Sequence, residues 1–281
     1  MAPPSGHRTR ASPASPDWQA EYAELAARDR RTALEPVDLE RLGIAAYLAG
    51  HESDAIGVHT RAHNVALGNG DSRQAARSAF WIAFALIGAR EVTRAAGWAA
   101  RARRLLEEDR HDCVESGYVM VPEGLERTLA GDLAGAEATF AAAERIGERF
   151  ADPDLTSLAR MGRGRAIVAS GRVAEGVALL DEVMVAVTAG ELSPIISGVV
   201  YCSVISACFE ILDMRRARDW TEALNDWCNA QPGVVPYRGE CLAHRAEIFS
   251  LRGRWPEALD EARRASDALA PANRMGQGIA A

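Results

Sequence analysis

Small residues return about every forty residues along most of the chain, and few folds can accommodate that pattern. One column reads Ala55, Ala95, Ala136, Gly176, Ala217 and Ala258, with successive spacings of 40, 41, 40, 41 and 41. Seven residues later stand Ala62, Ala102, Ala143, Val183, Leu224 and Ala265, small in four of six cases. Five residues earlier come Gly50, Arg90, Gly131, Gly171, Leu212 and Gly253. Twelve earlier are Gly43, Ala83, Gly124, Gly164, Ile205 and Ala246; a turn one residue shorter near Asp213 would put Ser206 in that column. Two antiparallel helices approach closely only where their side chains shrink. Seven residues is about two helical turns, so paired small positions share one face. A glycine at the turn closes the first helix with positive φ. One such hairpin cannot bury its apolar face, whereas a stack of them can.

The fold expected is therefore all-α: an α-solenoid of about six helix pairs behind an extra N-terminal helix. The lead helix is expected at about 17–31. Pairs follow near 38–49/54–68, 73–88/93–108, 114–130/134–149, 155–170/174–189, 195–211/215–229 and 238–251/256–269. Breakers separate them at "GNGD", "ADPD", "AGELSP" and "QPGVVP". Residues 1–15, rich in Pro, Ser and Ala, read as a disordered tail, residues 16–270 as the solenoid and 271–281 as a second tail.

The Gly-x4-Ala-x6-Ala spacing of "GDLAGAEATFAAA" and "GRWPEALDEARRA" resembles the tetratricopeptide repeat over roughly 38–270. The period exceeds that repeat's usual length of about 34, which implies longer helices or links. Its poorest matches are the second unit, with Arg90 for glycine, and the fifth, with the shortened turn. Longer strings, among them "ARSAFWIAFAL", "VYCSVISACFEILDMRRARDWTEALNDWC" and "PYRGECLAHRAEI", resemble the helical-repeat region of bacterial LuxR-type transcriptional regulators. In that family a C-terminal helix-turn-helix binds DNA and the array senses ligands or partners. Here "APANRMGQGIAA" follows Leu269, so DNA binding does not carry over. A shortened relative of such a regulator is the alternative expectation.

Charge narrows the function classes. All 32 Lys and Arg positions are Arg, which removes Schiff-base chemistry, a phosphate-loop lysine and a lysine general base. A net charge of −7 gives no support for nucleic-acid contact. Cys113, Cys202, Cys208, Cys228 and Cys241 form no C-x-x-C pair and read as buried thiols of a cytoplasmic protein. The uncharged run 192–209 imitates a membrane span, but its serines favour a helix buried among neighbours.

Three constellations invite chemistry and each has a plainer reading. Gly162, Gly164 and Gly171 in "MGRGRAIVASG" lack the strand and lysine of a phosphate loop, and register explains two of them as packing and turn. His59 and His63 are spaced i, i+4 as metal ligands are, with His51, Glu52 and Asp54 nearby, yet no second helix offers a further ligand. Cys202 and Cys208 with His244 lack an orienting partner for a nucleophile. Trp98, Trp220 and Trp255 read as packing between repeats. No catalytic, cofactor or metal residue is therefore expected.

In tetratricopeptide arrays the first helix of each pair lines the concave side. The resemblance places Arg77, Phe80, Phe84, Tyr118, Met161, Arg165, Glu210, Glu240 and Glu247 in that groove, unless longer repeats rotate the helices and bury the aromatics. Aromatic anchors with few charges suit a protein segment or a small ligand. The expected function is a non-enzymatic sensor or interaction scaffold, the runner-up an enzyme on a helical-repeat frame. Leu259, Ala262, Ala265 and Leu269 form a stripe on the last helix, 256–269, with no capping helix after it, so self-association there is also expected.

Overall fold

The computed structural model describes residues 17–109, 112–231 and 233–273, and every regular element among them is a helix. The lead helix is α1 (Trp18–Arg31). Six pairs follow: α2 (Pro36–Leu48) with α3 (Glu52–Gly68), α4 (Ser72–Gly88) with α5 (Val92–Asp109), and the split α6 (Glu115–Tyr118) and α7 (Met120–Leu129) with α8 (Leu133–Phe150). Then come α9 (Pro153–Ala169) with α10 (Val173–Thr188), α11 (Pro194–Glu210) with α12 (Met214–Ala230), and α13 (Pro236–Leu251) with α14 (Trp255–Asn273). The last helix runs past the expected boundary at 269. The proposed tail 1–15 lies outside the described residues, as do 274–281.

The turns inside the six pairs are copies of one another. Gly50, Arg90, Gly131, Gly171, Leu212 and Gly253 all have positive φ, including the two that are not glycine, at 60° and 59°. Each donates its N–H to the carbonyl three residues back, and the next N–H reaches five back, as in Gly171 to Val168 and Arg172 to Ile167. That pair of bonds satisfies the last carbonyls of the first helix. Leu212 and Asp213 make the same two bonds, to Phe209 and Cys208. The fifth turn is thus not shortened: Leu212 takes the left-handed conformation itself, and the buried Ile205, not Ser206, holds the packing column.

The third pair departs from the expected continuous helix over 114–130. Pro122 has no N–H to offer the Tyr118 carbonyl and its ring crowds that position, so the helix breaks at Val119. Elsewhere proline serves as a start signal: Pro36, Pro153, Pro194 and Pro236 occupy the first turn of their helices. Asp71, Asp132, Asp152 and Asp213 cap helix N-termini through their side chains.

The small columns mark contacts between backbones. A Cβ on Gly176 would lie 2.6 Å from the Gly164 carbonyl oxygen, so α9 and α10 meet backbone to backbone there. The buried Phe140 ring is gripped between Gly124 of α7 and Gly162 of α9, where any Cβ would strike it. The uncharged run is α11, which buries Ile195, Ile196, Val200, Tyr201, Val204 and Ile205. No helix among the described residues is long and apolar enough to cross a membrane.

The array also closes on itself. Val235, in the link between α12 and α13, donates its N–H to the Leu48 carbonyl at the end of α2, at 2.9 Å. Its side chain sits against Gly50, and Gly233 lies against the backbone of Trp18 and Gln19. Gln19 Nε2 donates to the Ala49 carbonyl at 2.7 Å. One core therefore runs from Trp18 and Leu48 through Phe80, Phe140 and Ile205 to Val234 and Tyr237.

Candidate functional site

Closure turns the expected open groove into an interior that side chains largely fill. What remains is a chamber of about 300 Å³ lined by Tyr47, Phe80, Phe84, Ile87, Gly88, Val121, Pro122, Leu125, Phe140, Leu158, Met161, Gly162, Val199 and Ser203. These come mostly from the first helices of the pairs, α2, α4, α7, α9 and α11, as the resemblance implied. A second cavity of about 350 Å³ lies along the closure seam and shares Tyr47, Gly88 and Val199 with the first. It adds Gly50, Glu52, Cys202, Val235, Pro236, Tyr237, Glu240 and Ala268.

The nine groove residues divide. Phe80, Phe84 and Met161 line the chamber, although Phe80 and Met161 are mostly buried in its wall. Phe80 packs on Tyr118 with ring centres 5.0 Å apart, and Phe84 meets Tyr47 edge-on at 5.9 Å. Tyr118 is buried behind the wall, where its hydroxyl donates to Asp152 at 3.0 Å. Arg77 lies over the Tyr118 ring and is engaged by Glu40 at 2.7 Å and Glu115 at 3.6 Å. Arg165 donates to the Ser203 carbonyl at 2.7 Å and pairs with Glu210 at 2.6 Å, which ties α9 to α11 across the chamber edge. Glu240 lines the second cavity. Glu247 is apart from both, on an outer cleft of about 790 Å³ with Phe209, Leu212, Leu251, Trp255 and Leu259.

That outer cleft corrects two expectations. Trp255 is 65% exposed, so it does not pack between repeats as Trp98 and Trp220 do. The expected stripe on the last helix is split: Ala265 is buried, whereas Leu259 and Ala262 face the cleft. The side chain of Leu269 lies outside the described residues.

His59, His63 and four of the cysteines are held in unreactive forms. His63 donates from Nδ1 to the Ala75 carbonyl at 2.7 Å, and its Nε2 accepts from Arg101 Nε at 2.7 Å. Both nitrogens are thus used, with none left for a metal. His59 stacks on Trp81 and closes over Gly43, and burial pushes its pKa down to about 4. No group of three or more metal-ligating side chains converges among the described residues. Burial raises the thiols of Cys208 and Cys241 to about 11 and Cys228 to about 12, and Cys202 higher still, which keeps them protonated.

Sequence reasoning missed Tyr47, Val199 and Tyr237, which shape the boundary between the two cavities. Tyr237 lies against Gly198 and its hydroxyl donates to the Ile195 carbonyl at 2.9 Å. The signal available was the pair of glycines at Gly50 and Gly198, which permit close approach from a distant segment.

No protein-family model and no curated protein matches the sequence. Solved structures match the fold. The apo form of RapI aligns with a TM-score of 0.59 and 11% identity over 92% of this chain and 99% of that one. A Rap protein complexed with competence and sporulation factor aligns at 0.56 and 14% over 92% of this chain and 72% of that one. A signal-transduction ATPase with a tetratricopeptide repeat sensor, from Pyrococcus horikoshii, aligns at 0.51 and 13% over 90% of this chain but 39% of that protein. The chain has a tetratricopeptide-like helical-repeat fold.

Proposed function

We propose that this chain is a non-enzymatic binding scaffold, a sensor or interaction module that takes a protein segment or a small ligand at its concave face. The observation that carries the reading is the central apolar chamber, built by the first helices of successive pairs and walled by aromatic rings. Phe80, Phe84 and Met161 would contact the ligand, Arg77 and Tyr118 would brace the wall, and Arg165 with Glu210 would set the charge at the edge. A neighbour of the same architecture holds competence and sporulation factor, which fits a scaffold that works by holding a partner. The protonated thiols of Cys202, Cys208, Cys228 and Cys241 and the neutral His59 favour binding over nucleophilic chemistry.

We place the chain with LuxR-type transcriptional regulators on the strings quoted above, as a cytoplasmic sensor that does not itself touch nucleic acid. Self-association through the cleft beside α14 belongs to the same proposal, and light scattering across a concentration series tests it. For the chamber, a peptide and metabolite screen read by thermal shift is the test. Binders should raise the melting temperature of the wild type and leave Leu125→Trp, which fills the chamber from its exposed edge, unmoved. Equal shifts in both proteins would place binding elsewhere.

A further inference from the structure

The two cavities differ in chemistry although they share a boundary. The inner one is apolar, whereas the seam cavity carries two carboxylates, the half-buried Glu52 and the more exposed Glu240, beside Tyr47 and Tyr237, and no arginine among the described residues lines it. The buried acids elsewhere in the array are held by arginine: Glu144 by Arg160 and Arg163, and Glu261 by Arg245 and Arg264. Burial and the nearby Glu91 raise the Glu52 carboxyl, and both Glu52 and Glu240 act on the Tyr47 hydroxyl. A half-buried acid beside aromatic rings is stabilised by a cation, which the rings also attract. Tyr47 belongs to both cavities, so a molecule passing it would meet apolar surface on one side and negative charge on the other.

Resting on the chamber reading above, we infer that the ligand is an amphipathic cation. Its apolar part lies among Phe80, Phe84 and Met161, and its ammonium or guanidinium group lies beside Tyr47 and Tyr237 between Glu52 and Glu240. Such chemistry comes either from a basic side chain next to apolar ones in a peptide, or from a free amphipathic amine.

Isothermal titration with probes of one chain length tests this: n-octylammonium, n-octanol and n-octanoate, each against wild type and Glu52→Gln/Glu240→Gln. The inference expects octylammonium to bind wild type at least tenfold more tightly than octanol, and octanoate most weakly. The double variant, checked for folding by its melting curve, should lose the preference for the cation and keep octanol binding. Equal binding of all three probes to wild type would overturn the cation assignment and leave the apolar chamber standing. Binding of none, or binding unchanged by Leu125→Trp, would overturn both. The tripeptides acetyl-Leu-Phe-Arg-amide and acetyl-Leu-Phe-Glu-amide separate the sources: a tenfold preference for the arginine peptide supports the cation in a peptide, and octylammonium selectivity without it supports a free amine.

Discussion

The middle of the array and its closure seam are held together by different means. Between α7, α8, α9 and α10 the contact is backbone against backbone or ring against glycine, at Gly164 with Gly176 and at Phe140 between Gly124 and Gly162. Buried ion pairs reinforce it, with Glu144 reaching Arg160 at 2.7 Å and Arg163 at 2.5 Å. At the seam a single link meets the end of α2 through one backbone hydrogen bond and one valine, and the start of α1 through Gly233. Dense packing of this kind opens only with the fold, whereas a thin contact opens locally at low cost. The chamber has its walls in the dense part, at Phe140, Leu158, Met161 and Gly162, whereas the seam cavity has the thin contact of Gly50 and Val235 as one of its walls.

The largest effect should come from the middle. Phe140→Ala empties a site whose glycine walls cannot collapse toward it and should cost about 3–5 kcal/mol in denaturant unfolding. A loss under about 1 kcal/mol would mean the grip is not as described. Next is His59, at the entrance end of the array. Its folded pKa is depressed to about 4 from 6.5, so the unfolded chain binds the proton more readily. The stability it contributes is complete above pH 6.5 and is lost as pH falls toward 4, by roughly 3 kcal/mol. His59→Phe should flatten that part of a pH series measured by urea unfolding.

The seam gives smaller numbers and a sharper contrast. Gly50 and Gly131 have nearly the same φ, 82° and 81°, but a Cβ at Gly50 would meet Val235 whereas one at Gly131 would meet nothing. Gly131→Ala should cost about 1 kcal/mol for the backbone alone. Gly50→Ala should cost about 2 kcal/mol, the excess being the seam contact. Equal costs would show that the seam contributes nothing. Smallest of all, Arg90→Gly and Leu212→Gly relieve left-handed residues and should each raise stability by about 0.5–1 kcal/mol.

Much of the array was legible because its periodicity is local physics. The alanine and glycine columns foretold the turn within every pair, and register pointed to Arg90 and Leu212 as turn positions even where the residue type argued otherwise. The shortened fifth turn was misread because Leu212 is a poor left-handed residue that a regular stack nonetheless imposes. Pro122 was visible in the sequence and its helix break was overlooked. Closure was beyond reach, since no periodic signal links Leu48 to Val235, and with it went the roles of Tyr47 and Tyr237. Phe80, Phe84 and Met161, which line the chamber, were placed by the tetratricopeptide resemblance carried along the register. Trp255 was misjudged because the same residue type packs at Trp98 and Trp220, where a following helix covers it.

Closure itself can be tested by cross-linking. A Cβ on Gly50 would lie 3.0 Å from the Val235 Cβ, about 0.5 Å inside the lower end of disulfide spacing, which a small shift of the link supplies. In Gly50→Cys/Val235→Cys, mild oxidation should join the two segments in nearly all molecules with the helical signal unchanged, as read by peptide mapping and circular dichroism. Both thiols remaining free in the folded protein would mean that the first pair does not meet the link before the last, and the seam cavity would lose its outer wall.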